Sequence, residues 1–80
     1  MFSKELFGQR ISELRKARGE TQDALAKQMG VKKNQVSEIE RGNRTTSAER
    51  IALICEHYGL SADYLLGLTD DPEPKNGVEP

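Results

Sequence analysis

Between Lys32 and Arg44 the chain concentrates long polar side chains: Lys32, Lys33, Asn34, Gln35, Ser37, Glu38, Arg41, Asn43 and Arg44. Ammonium and guanidinium groups donate to anionic oxygens, carboxamides both donate and accept, and a carboxylate accepts from an amine. Such a set can grip and read a surface rich in hydrogen-bonding groups. It is not equipped to make or break bonds, because no nucleophile stands beside a base and no metal cage is present. Nothing in the chain therefore points to an enzyme.

Val36 and Ile39 are the apolar interruptions in this run, spaced for one face of a helix from about Lys33 to Arg41, with Gly42 after it. At 100° per residue Asn34, Ser37, Glu38 and Arg41 point away from that buried direction. Lys32 and Lys33 stand at the helix entrance, where their charge opposes the dipole, and no Ser, Thr, Asp or Asn occupies position 32 to cap the first amides. A local rule broken in this way tends to mark a functional site, and a phosphate or a guanine edge nearby would make the charge favourable. A helix buried on one side and long-armed and polar on the other is what a DNA groove accepts.

The rest of the chain must position that helix. Ser3 caps a first helix, with Phe2 and Phe7 placed to staple its start, the stripe Phe7, Ile11 and Leu14 facing inward, and Gly19 ending it. Thr21 caps a second, with Asp23 in its first turn, Leu25, Ala26 and Met29 turned inward, and Gly30 at its end. Small Ala26 lets the second and third helices approach closely, and Val31 follows the glycine turn. Thr46 to Glu49 has the spacing of a capping box and opens a fourth helix whose stripe is Ile51, Ile54, Cys55 and Tyr58, closed by Gly59. Cys55 reads as a small core residue, His57 as exposed and Leu53 as a lone exposed leucine or part of a partner surface. Ser61 caps a last short helix from Ala62 to about Leu66, and Leu60, Leu65 and Leu66 close the core. The fold class is all-α, a compact domain of five helices.

Length and charge set the bounds. Eighty residues with 35% hydrophobic and 31% charged content make one domain. No apolar run reaches a membrane span and no secretory signal is visible, so a cytoplasmic protein is expected. A single cysteine excludes an internal disulfide, and the lone His57 has no ligand cluster around it, so neither metal nor cofactor is expected. The net charge of -1 hides an uneven distribution. Asp70, Asp71, Glu73 and Glu79 against Lys75 make residues 70–80 acidic, while residues 1–69 carry +2. With three prolines and Val78 its one aliphatic residue, 70–80 is expected to be a mobile tail on a domain spanning 1–69.

The chain resembles the phage repressor and Cro family of bacterial helix-turn-helix regulators over residues 9–67. The matching positions are Ile11, Leu14, Arg15, Thr21, Gln22, Leu25, Ala26, Gly30, Val31, Val36, Ser37, Ile39, Glu40, Arg41, Gly42, Ile51, Ile54, Leu60, Ser61, Leu65 and Leu66. The resemblance implies a repressor-like domain whose third helix enters the major groove of double-stranded DNA. It assigns base reading to Lys33, Asn34, Gln35 and Glu38, whose groups suit guanine, adenine and cytosine edges. Gln22, Lys32, Ser37, Arg41, Asn43 and Arg44 fall to phosphate, with Gln22 also within reach of position 33. It further implies a structural ion pair of Arg15 with Glu40. Two departures stand out: Lys32 replaces a capping Ser or Thr, and Glu20 replaces an apolar residue, which should weaken the packing of that loop.

The leading expectation is thus a sequence-specific transcriptional regulator, a repressor, binding a two-fold operator as a homodimer through Leu53, Tyr58, Leu60, Leu66 and Leu68. The alternative, motivated by the acidic tail, is a protein-interaction module such as an antitoxin or anti-repressor, which uses the same fold to hold a regulatory protein partner.

Overall fold

Five glycines with positive φ, Gly19, Gly30, Gly42, Gly59 and Gly67, punctuate the chain and leave helices between them. The computed structural model describes residues 1–74 and contains α1 (Lys4–Ala17), α2 (Gln22–Met29), α3 (Lys33–Glu40), α4 (Ala48–Tyr58) and α5 (Ala62–Leu65). Side-chain oxygens of Ser3, Thr21, Ser47 and Ser61 cap α1, α2, α4 and α5 by accepting from backbone amides of the first turn. Phe2 leans on Phe7 at a centroid distance of 5.7 Å, the expected staple.

One cap differs from the sequence expectation. Ser47, not Thr46, accepts from the Arg50 amide, so the residue at the reciprocal position is Arg50 and no capping box closes. Glu49 still gains from the positive end of the helix dipole. Arg50 has a different use: its Nε donates to the Met29 carbonyl at the C-terminal end of α2, at 3.3 Å.

The helices close around one core of Phe7, Ile11, Leu25, Ala26, Met29, Val36, Ile39, Ile54, Tyr58, Leu60 and Leu65. Leu14, Val31, Ile51, Cys55 and Tyr64 pack against it. α2 and α3 form the tight helical corner, α1 lies across α3, α4 backs α2, and α5 bridges α1 and α4. Gly8 explains how near α1 comes to α3. A Cβ at that position would fall 2.0 Å from the Ile39 carbonyl oxygen, so only glycine fits without moving a helix.

Arg10 joins Phe7 and Ile11 on the inner face of α1, and both terminal nitrogens of its buried guanidinium are hydrogen-bonded. It donates to the carbonyls of Tyr64 and Thr69 and to Asp70 Oδ1 at 2.8 Å, and stacks 4.1 Å from the centre of the Tyr64 ring. The Ser61 amide also donates to the Pro72 carbonyl at 2.9 Å. Asp70 and Pro72, placed by composition in the tail, thus make contacts with the helical body. Residues 75–80 of that tail lie outside the described residues.

Candidate nucleic-acid interface

The buried face of α3 fixes how its outer face is presented. Val36 and Ile39 enter the core, and Glu40 at the inner edge is tied to α1. Arg15 Nε donates to Glu40 Oε2 at 2.7 Å, Nη2 donates to Oε1 at 3.0 Å, and Nη1 donates to the Glu20 carbonyl at 2.7 Å. The side chains of Arg15 and Glu40 are 11% and 7% exposed, so this is an interior pair with both oxygens occupied. The hydrogen bond to Glu40 raises the Arg15 pKa despite desolvation. Its function is mechanical: it fixes the axial position of α3 against α1.

Gln22 extends the same network. Its Nε2 donates to Glu40 Oε1 at 3.0 Å, which commits part of an amide expected to reach phosphate. Among the described residues it makes no hydrogen bond with Lys33. It does line a shallow cleft with Lys33, Asn34, Ser37, Glu38 and Arg41, the outer surface of the helical corner. Gln35 is half-buried and lies to the side of that cleft, closer to the direction of Val36 than Asn34 is.

The cleft has two electrostatic characters. At its N-terminal end Lys32 caps α3 in position only, with no side-chain hydrogen bond to the first amides. Lys32, Lys33, Asn34 and, beyond the helix, Arg44 are exposed. Among the described residues their side chains make no hydrogen bond or ion pair. Toward the C-terminal end Glu38 gathers its neighbours: Oε1 accepts from Asn43 Nδ2 at 3.0 Å and Oε2 from Arg41 Nη1 at 3.4 Å. Both oxygens of the proposed cytosine reader are therefore already partnered.

A second polar network lies behind the cleft. Glu20 Oε2 is 2.6 Å from His57 Nε2, and Oε1 accepts from the Tyr58 hydroxyl at 2.7 Å. Arg18 donates to the Tyr58 carbonyl and sits over its ring. Burial works to raise the Glu20 pKa, but the hydrogen bonds from Tyr58 and His57, with the charges of His57 and Arg18, leave it below the usual carboxylate value. Burial, then Glu20, push Tyr58 upward, and burial, then Glu56, do the same to Cys55, which disfavours its thiolate. This corrects two expectations. His57 is half-buried and paired, not simply exposed, and Glu20 ties the loop before α2 to α4 rather than loosening it.

The five apolar residues offered as dimer contacts divide. Tyr58 and Leu60 are core residues of the monomer and have no surface to contribute. Leu66 is half-buried, while Leu53 and Leu68 are exposed.

Comparison with known proteins agrees with this geometry. A family model described as helix-turn-helix matches residues 11–65. The HTH-type transcriptional regulators YobD and YazB of Bacillus subtilis (strain 168) are similar. YobD is 36% identical over 70 residues, 88% of this chain and 62% of its own length, and YazB is 43% identical over 61, 76% and 88%. The chain thus spans somewhat under two thirds of YobD and most of YazB. Among solved structures, the P22 c2 repressor in complex with synthetic operator 9T superposes with a TM-score of 0.71 at 33% identity, covering 75% of this chain and 91% of that one. The restriction-modification controller protein C.AhdI from Aeromonas hydrophila gives 0.69 at 34%, covering 78% and 90%.

Proposed function

The chain belongs to the helix-turn-helix family of phage repressor and Cro type, and on that premise we propose a sequence-specific regulator of transcription, a repressor, that reads an operator half-site through the major groove with α3. The carrying observation is the entrance of α3, where uncapped amides and the exposed Lys32 and Lys33 meet no anion among the described residues. A phosphate there supplies both the missing cap and the missing counter-charge.

In this reading Lys33 and Asn34 face base edges, with Gln35 at the flank of the reading surface. Lys32, Ser37, Arg41, Asn43 and Arg44, with the uncommitted part of the Gln22 amide, set the protein on the backbone. One short helix reads few base pairs, so a homodimer on half-sites about 34 Å apart supplies affinity and specificity together. Of the apolar residues expected to contact a second copy, Leu53, Leu66 and Leu68 retain surface for it.

Titration of mixed-sequence duplex DNA against salt tests the reading, followed by selection of sites from a random pool. A steep negative salt dependence is expected, flattened by about one unit in Arg44→Ala, with a palindromic consensus that changes in Lys33→Ala. Binding without salt dependence, or no consensus, would overturn it.

A further inference from the structure

We propose that Glu38 is a positioning residue for phosphate contact, not a reader of bases; this rests on the DNA-binding reading above. Its carboxylate acts as an internal anion that holds Asn43 and Arg41 in the free protein, and a backbone phosphate takes Arg41 from it on binding.

The two arms of the arrangement are unequal. Asn43 is held twice, by its side chain at Glu38 Oε1 and by its backbone amide at the Glu38 carbonyl, both at 3.0 Å. Those bonds close a ring over the last turn of α3 and pin one carboxylate oxygen. Arg41 is held once, at 3.4 Å, and its side chain is 67% exposed against 40% for Glu38. A long, exposed ion pair of this kind adds little stability, so Arg41 is the exchangeable arm. Glu38 itself is poorly oriented to read a cytosine amine, because each oxygen already accepts one donor and the carboxylate is turned toward Asn43 and Arg41, leaving an incoming amine only the remaining lone pairs. Holding Arg41 in this way lowers the free positive charge at one end of the cleft and leaves Lys32, Lys33 and Arg44 to meet the DNA first. Phosphate then competes with a carboxylate for a guanidinium already on the correct surface.

Measured binding of wild type, Glu38→Gln, Arg41→Gln and the double variant to mixed-sequence duplex, across salt, tests the exchange. Site selection with Glu38→Ala tests base reading separately, and melting curves confirm that each variant is folded. Glu38→Gln should bind about two- to fivefold tighter near 0.1 M salt, with a salt slope steeper by about one unit. Arg41→Gln alone should weaken binding and flatten the salt slope by about one unit, and its cost should be larger in the Glu38→Gln background, where it removes the gain. The consensus selected by Glu38→Ala should match the wild type at every position.

Loss of one preferred base per half-site in Glu38→Ala would make Glu38 a reader and overturn the proposal. So would Glu38→Gln with wild-type affinity and slope, or strictly additive effects of the two substitutions. A wild-type protein that binds no DNA at low salt would instead remove the DNA-binding reading and Glu38's role with it.

Discussion

Two polar regions meet on α3, and they are built on opposite terms. On the inner side Arg15, Glu40, Gln22 and the Glu20 carbonyl form a connected set, with each of the three guanidinium nitrogens of Arg15 donating to an oxygen within 3.0 Å. On the outer side Lys32, Lys33, Asn34 and Arg44 are exposed, and the helix begins without a side-chain cap. The same residue types thus serve opposite ends. Interior charges must be satisfied within the chain because water cannot reach them, whereas surface charges can be left for a ligand. The contrast separates what holds α3 in place from what α3 is held in place to touch.

If that contrast holds, damage to the inner side should appear as lost stability and damage to the outer side as lost binding. The largest effect is expected for Glu40→Ala, which strands the Arg15 guanidinium and should cost about 3 to 5 kcal/mol in denaturant unfolding. Replacing both partners with apolar residues should recover much of this. A small loss in the single variant would show that the pair is dispensable. Gly8→Ala comes next: its Cβ meets the Ile39 carbonyl, and forcing α1 from α3 should cost about 1 to 3 kcal/mol in the same assay.

Glu20→Gln isolates the second interior network. Above the unfolded carboxylate pKa of about 4.3, wild-type Glu20 is ionised in both states and its partners stabilise only the folded one. Because its folded pKa lies lower, that contribution is complete above this value and lost as pH falls through the folded one. The variant should therefore be less stable by about 1 to 3 kcal/mol at neutral pH, and the difference should shrink on acidification. A difference independent of pH would remove Glu20 from the linkage.

The smallest change is the sharpest test of the contrast, because its two readouts move in opposite directions. Lys32→Ser supplies the absent cap and should stabilise the fold by about 1 kcal/mol, while weakening DNA binding in a salt titration. Stabilisation with unchanged binding would show that the open entrance to α3 serves no ligand.

Much of this was legible in the sequence, for identifiable reasons. Helix stripes and glycine stops are local patterns, so Phe7 and Ile11 on α1 and Val36 and Ile39 on α3 fall where periodicity places them. Arg10 was readable too, since it occupies the position beside Ile11 and three after Phe7, on a stripe where a charge requires a partner. Its partners were not readable, because they are carbonyls and a carboxylate more than fifty residues away in the chain. The same distance hid the partners of Glu20, at His57 and Tyr58. Composition placed Asp70 in the tail for the same reason, and the shift from Thr46 to Ser47 as the α4 cap turned on a single residue of backbone geometry.

The sequence by itself determined the five helices, their buried faces and the exposed, uncapped start of α3, because each follows from side-chain periodicity or the chemistry of one helix end. Tertiary structure alone decided which polar groups were already spent. It brought Glu40 to Arg15 and Gln22, Glu20 to His57 and Tyr58, and buried Tyr58 and Leu60 away from any second subunit. Within α3 and the loop after it, the three-dimensional placement of Arg41 and Asn43 around Glu38 turned an expected base reader into an anion already holding its neighbours. Spacing reports which way a side chain points, but whether its hydrogen bonds are free depends on groups that only the folded chain brings within 3.5 Å or so.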